Sequence, residues 1–541
     1  MLKNLCKSLI FNWKENLYLL SLCVFLIALP TSIALISITS VSMLIVWIVT
    51  GDFKAKWNRL LQNKNAWLWM SIPVVYLIGL CFTHNFSLGI QEFNKSLYWF
   101  IFAFVLSSSP PVSQKFTCRL LGIYVGVVSI AAIVAFCKLL FLDTVQFFDF
   151  RAVTWVDHIP FSYQIAFSVW LIIYFILYGK LSLLKKILLI LLIIFLIIIL
   201  FSLKSFNGYI YFGAISITAL FMLMYKIKTK FLKFISLSLI VLLVFLPIFY
   251  VFRCVQKFYN TTEYYPDTIK KYTVDGNKYN HNFENKMKEN GNYVGLFICE
   301  KELIPLWNAH SKRPYNDKTS FNFSLNHIII RYMTSKGLTK DAAGFAQLSE
   351  KDILNIENEI PNYIYAENKL GVYPRIYETI WEIDHYRMTN NPNGKSFAQR
   401  IELVFLAGKI ITQNFWFGVG LGNNPQIYQE IIVETGSKLV YPNIQSTHNQ
   451  YFNYLVRFGF MGTLYILCVL FWVFFKERKN NPFIITIFFV SMLVANLGEA
   501  NWETFIGLNF FAFFICFFMW ITPKNILSNY NNRKHFKKNI N

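Results

Sequence analysis

Long apolar blocks alternate with short polar breaks along most of the chain. The blocks near 16–30, 32–50, 67–83, 96–108, 118–142, 161–178, 184–203, 207–225, 231–252, 458–475, 482–499 and 503–522 predict twelve helices. Most of them are long enough to cross a hydrocarbon core of about 30 Å. The block at 96–108 is short and fits a re-entrant segment as well as a span. The first apolar run follows Lys3, Lys7 and Lys14, as in a signal peptide, but it continues past Pro30 to Val49. That is too long for a cleaved apolar region, so it reads as a retained anchor, bent by Pro30 into a hairpin of two short helices.

The polar breaks carry the orientation. With the N-terminus in the cytoplasm, the inner breaks and the tail hold 24 Lys and Arg, while the short outer loops hold only Lys95, Arg151 and Lys204. Cations stay on the cytoplasmic side of a membrane protein, so this asymmetry fixes the topology. Residues 253–457 then lie outside, as a domain rich in Asn, Lys and Tyr with helical stretches near 327–348, 350–358, 370–388 and 397–413. The expected organisation is an N-terminal membrane domain of about nine spans at 1–252, the outer domain at 253–457, three spans at 458–522 and a basic cytoplasmic tail at 523–541.

Composition agrees. Of 541 residues, 55% are apolar and 18% aromatic, and only 15% are charged, against about 25% charged in a soluble domain. That excludes a soluble enzyme, a disordered chain and a disulfide-stapled secreted module. A net charge of +22 invites a nucleic-acid reading. The topology absorbs most of that excess, so no nucleic-acid partner is expected. Seven of the nine Cys lie in or beside apolar spans, as packing residues; Cys254 and Cys299 fall in the polar segment, and spacing alone does not decide whether they pair.

Candidate chemistry gathers near the C-terminal end. Ser396 and Gln399 form a capping-box pattern, so a helix should start there. On a helical projection Gln399, Glu402, Lys409 and Gln413 form the wet face, and Arg400 falls among Val404, Ala407 and Ile411 on the apolar face. A guanidinium there needs an anion, either an acidic side chain of the same domain or a substrate phosphate. The following glycines, Gly418, Gly420 and Gly422, suit a tight turn beside the site better than a nucleotide loop, because a helix and not a strand precedes them. Thr447 and Gln450 form a second capping-box pattern, which places His448 in the first turn of span ten at the outer face. A helix N-terminus disfavours imidazolium, so His448 is a candidate general base, with Asn449 to orient substrate or ring. Arg457 lies at the outer edge of the same span, where snorkelling is the plainer role. Arg151, Lys204, Arg400 and Arg457 could converge with His448 on a polyanionic headgroup. No HExxH motif, paired-carboxylate motif or Ser/His/Asp order is evident, which disfavours metal and triad chemistry.

The stretches AQRIELVFLAGKIITQNFWFGVGLGN and STHNQYFNYLVRFGFMG, followed by two spans, resemble the O-antigen ligase and polymerase superfamily of bacterial membranes. The outer segment YNHNFENKMKENGNYVGLFICEKEL and the stretch LGVYPRIYETIWEID are similar to members from Bacteroidetes-like bacteria. The resemblance implies an all-α polytopic fold of the GT-C-like kind, with about twelve spans and one large, mainly helical periplasmic domain between spans nine and ten. It implies a metal-independent glycosyltransferase of the inner membrane, with no cofactor. A glycan would move from undecaprenyl diphosphate to a lipid A–core hydroxyl, with the matching His as base and the matching Arg on the diphosphate. A polysaccharide polymerase and a protein O-oligosaccharyltransferase share that logic, and a lipid-linked glycan transporter is the reading outside the enzymes. The chain departs from the family pattern at DHIPFS, where Pro160 stands in place of a frequent Arg and Arg151 lies upstream, and at Lys204, where members often have Ser-x-Arg or Ser-Arg.

Overall fold

The computed structural model describes residues 13–141, 153–320, 323–367, 372–440 and 446–523. The described residues are mostly helical, at 71%, with almost no sheet. Among the described residues six helices are long and apolar enough to cross a membrane, or seven if the pair Ile33–Val49 and Phe53–Gln62, bent by 115°, is one span. Two of the six leave little doubt about their surroundings. Only 17% of the apolar window of Leu183–Ser202 and 6% of that of Lys230–Tyr259 is buried within the chain. Helices of bare Leu, Ile and Phe on that scale are unstable against water and stable against lipid. The protein is an integral membrane protein.

Two compact units make up the chain: one of Met1–Leu140, Phe150–Leu243 and Gln399–Asn541, the other chiefly of Val244–Ala398. In the first, the predicted hairpin is present as Trp13–Ala28 and Ile33–Val49, with Pro30 in the turn and Ser32 accepting from the Leu35 N–H. Helix Phe206–Lys226 packs against Pro482–Ala495. Phenylalanines fill the centre: Phe167 meets Phe488 and Phe514 with ring centroids 4.8 and 5.1 Å apart. Such tilted and edge contacts add to area burial, which gives the aromatic excess a packing role.

Several boundaries differ from the sequence reading, and the block at 67–83 is two helices, Lys64–Met70 and Ile72–Leu80. The block at 96–108 belongs to one continuous helix, Phe86–Ser108, capped by Asn85, so it is not a short segment. Its first turns are polar, and Glu92 there is used internally, which hides the helix start from a hydropathy reading. The block at 482–499 ends as a helix at Ala495, and the last span begins at Phe505. Residues 496–504 between them form a polar turn, which becomes central to the site. In the second unit Glu300–His310 and Tyr363–Glu367 are helices that the reading missed, and Ala342–Phe345 is separate from Asn326–Ser335. Cys254 and Cys299 are buried free thiols, not a disulfide.

Candidate active site

The helix carrying Arg400 runs Ser396–Gln413 and starts where the sequence places it. The Glu382 carboxylate accepts from the Phe397 N–H at 2.6 Å, and the Ser396 hydroxyl accepts from Arg375 at 3.1 Å. The helical projection places its wet face in part: Lys409 and Gln413 are exposed and Gln399 is half-buried. Leu403, Leu406, Ala407 and Ile410 are buried, and so is Glu402, which accepts from Ser437. Phe397, Ile401 and Phe405 are exposed as well. Apolar residues occur all round this helix, so periodicity alone does not choose the buried side.

Arg400 stands at the edge of the buried face. Its guanidinium donates to the Gly498 carbonyl at 3.0 Å and bridges Glu499 at 3.2 Å. The other oxygen of the same carboxylate lies 2.9 Å from His448 Nδ1. The Glu499 side chain is only 12% exposed, whereas those of Arg400 and His448 are 31% and 30% exposed. One sunken carboxylate therefore holds a cation and an imidazole, both still open to a substrate. An ionised carboxylate is acceptor-only, so Nδ1 carries the proton in the neutral ring and Nε2 is left as the basic nitrogen.

His448 is not inside the first helical turn. It sits at φ +53°, two residues ahead of helix Gln450–Glu477. The cap is Asn449, whose side chain accepts from the Tyr451 and Phe452 N–H groups and donates to the Leu497 carbonyl at 2.9 Å. Asn449 is thus occupied in shaping the backbone, and the ring is oriented by Glu499. Thr447 bonds Asn453 instead of capping, at 2.6 Å.

Arg457 does not snorkel. Its side chain is 9% exposed and bridges Glu92 at 2.9 Å and Glu503 at 2.8 Å. A guanidinium held by two carboxylates has no charge left for a phosphate. Its main chain serves another purpose. The helix opens at Gly459 (φ +60°), and the glycine turn lies alongside the opening: the Val419 and Gly420 N–H groups donate to the Val456 and Arg457 carbonyls at 2.8 and 2.9 Å. Gly418 and Gly422 have φ of +69° and +72°, and a Cβ would lie 2.5 Å from the Arg457 carbonyl carbon in the first and 2.6 Å from the Asn85 carbonyl oxygen in the second. These glycines are required for close backbone approach, not for a free turn beside the site. Gly418→Ala should therefore lower the unfolding temperature strongly, combining about 1–3 kcal/mol of backbone strain with a main-chain clash. Gly436→Ala, at φ +65° with open space around it, is the control for strain without a clash. Equal unfolding temperatures for the two variants would show that the turn is not clamped.

The remaining cations are less informative. Arg151 lies outside the described residues. Lys204 has φ +50° in the turn before helix Phe206–Lys226. Asn207, three residues on, donates to the Gly498 carbonyl at 2.7 Å, which brings that turn to the 496–504 segment. Pro160 is buried in the first turn of helix His158–Tyr178, capped by Asp157. Among the described residues, no group of three or more His, Cys, Asp or Glu is placed to hold a metal ion.

Glu499, Glu503 and Glu92 are the residues that the sequence reading missed. The signal was present for two of them: carboxylates between two apolar blocks, at a level where the chain holds few. Reading 482–499 and 503–522 as spans absorbed them into helices.

Residues 370–467 match the family described as O-antigen ligase. The match takes in Arg400, the glycine turn, His448, Asn449 and Arg457 and stops short of Glu499. The resemblance to the O-antigen ligase superfamily thus holds over this part of the chain, and the match supports ligase- or polymerase-type function in the general sense of that family. No curated protein matches the chain.

Proposed function

We propose that this protein transfers a glycan from undecaprenyl diphosphate to a sugar hydroxyl of the lipid A–core, at the periplasmic face of the bacterial inner membrane. The observation that carries this reading is the shared Glu499 carboxylate, which holds His448 and Arg400 side by side. In the proposed step the acceptor hydroxyl gives its proton to His448 Nε2. Its oxygen bonds to the anomeric carbon as the bond from that carbon to the phosphate oxygen breaks, with inversion. The leaving diphosphate is stabilised by Arg400, with Lys204 and Arg151 as further candidate cations. A diphosphate leaving group asks for positive charge, and an alcohol nucleophile asks for a base. Arg457 and Asn449 act as positioning residues through the main chain that they hold.

The architecture proposed with this function has about twelve spans in a GT-C-like arrangement, both termini cytoplasmic and residues 253–457 periplasmic. The 24-to-3 distribution of cations supports that orientation. Deletion of the gene followed by gel analysis of lipopolysaccharide tests the reading. A ligase predicts a bare lipid A–core with lipid-linked polymer retained. A core bearing one repeat unit would instead mark the chain as a polymerase, and an unchanged pattern with loss of glycoprotein would mark a protein glycosyltransferase.

A further inference from the structure

The second unit contains a cleft of about 1020 Å³ that shares no residue with the site above. It is at the upper end of the size range of small-ligand pockets, so it suits more than a monosaccharide-sized ligand. Its walls come from segments near 280–298, 313–331, 357–359 and 381–395. Six asparagines line it: Asn280, Asn282, Asn285, Asn358, Asn391 and Asn393.

The charges in the cleft are already satisfied. Arg313 is bridged to Asp317 at 2.7 Å and Glu359 at 3.1 Å, and Arg331 to Glu289 at 2.6 Å. Lys395 donates to the Asn391 carbonyl at 2.7 Å, and Glu357 accepts from the Ser311 hydroxyl and the Lys312 N–H. Burial, with Lys395 and Arg331 nearby, pushes the His385 imidazole down to about 4, so it is neutral at working pH. Lys395 alone lacks a carboxylate partner among these cations, and its ammonium already donates to the Asn391 and Asn393 carbonyls, so the cleft offers a phosphate little positive charge.

Hydroxyl chemistry is what remains. The carboxamide oxygens of Asn282, Asn285 and Asn391 each accept from an N–H two residues on, at 3.0 Å. Those amides are fixed in place. The carboxamides of Asn280 and Asn358 bond no described residue, and the buried Ser324 hydroxyl, also in the wall, has no partner among the described residues. An amide offers two donors and an acceptor, and paired sugar hydroxyls offer the complement. Phe323, 68% exposed at the cleft, presents an uncovered ring to the C–H face of a sugar. Trp381, with the Arg331 guanidinium 4.0 Å from its ring centre, makes a stiff wall.

We propose that this cleft is a carbohydrate-binding site that holds an oligosaccharide segment of the transferred glycan. The carbohydrate class follows from the cleft, and the identity of the glycan rests on the proposed function. Pre-fixed amides lower the ordering cost of binding, so the site would grip a chain without covalent chemistry.

The test uses the full-length protein in detergent and, as probe, the oligosaccharide released by mild acid from the source strain's own lipopolysaccharide. Saturation-transfer NMR and calorimetry read the binding. Wild type and His448→Gln should bind alike. The pair Asn280→Ala with Asn358→Ala should bind at least about tenfold more weakly, the loss of roughly one good hydrogen bond or more. Phe323→Ala should weaken binding, and Phe323→Tyr should restore it. Asn280 and Phe323 are exposed, so unchanged unfolding temperatures separate lost binding from lost fold. No binding by wild type, or wild-type affinity in the asparagine pair, overturns the proposal. Binding intact in a protein that transfers no glycan would instead sink the proposed function and leave the cleft assignment standing.

Discussion

His448→Gln should leave a folded, membrane-inserted protein whose transfer rate has fallen by about 10²–10⁴-fold, the usual share of a positioned general base. Glutamine can still hydrogen-bond Glu499, so the local structure has no reason to collapse. What it lacks is a nitrogen that can take the acceptor's proton. Donor binding should persist, because the cations are untouched. The measurement is transfer by purified protein on lipid-linked glycan, with binding of the donor followed separately. Near-normal transfer would remove His448 from the mechanism and leave it as a residue that only tethers the 496–504 turn.

Arg400→Ala should cost on the order of 10²-fold or more in transfer, as for removal of a preorganised charge stabiliser. Arg400→Lys should fail to restore it, since an ammonium cannot both bond the Gly498 carbonyl and Glu499 and still offer a fork to a phosphate. The ion pair with Glu499 supplies the opposing explanation, in which Arg400 is only a counter-ion. That explanation predicts loss of protein and of unfolding temperature in step with activity. It also predicts that adding Glu499→Gln to Arg400→Ala restores the fold, because no carboxylate is then left uncompensated. A folded Arg400→Ala protein that binds and transfers donor normally would rule out contact with the diphosphate.

Much of this arrangement is legible without coordinates. The blocks, the Pro30 hairpin and the start of the Arg400 helix follow from hydropathy and capping chemistry, which are local properties. The pairing of Arg400 with an acidic side chain is also foreseeable as one of two options. Its partner is not, because Glu499 lies 99 residues away along the chain. The glycines show the same limit. Their spacing announces a backbone need, but whether that need is a reversal or a close approach depends on Gly459 opening another helix. Glu402 defeats helical projection for a related reason, and Arg457 the expectation of snorkelling: a polar side chain can be buried when its partner comes from elsewhere.

The Gly498 carbonyl is shared by Arg400 and Asn207, and a Cβ on Gly498 would collide with the Asn207 amide oxygen. This links two positions 291 residues apart in a single historical constraint. Any lineage that replaces the glycine must first shorten or turn away the asparagine, and one that shortens the asparagine loses a tether before it gains anything. Residue 207 and residue 498 should therefore vary through relatives as a matched pair.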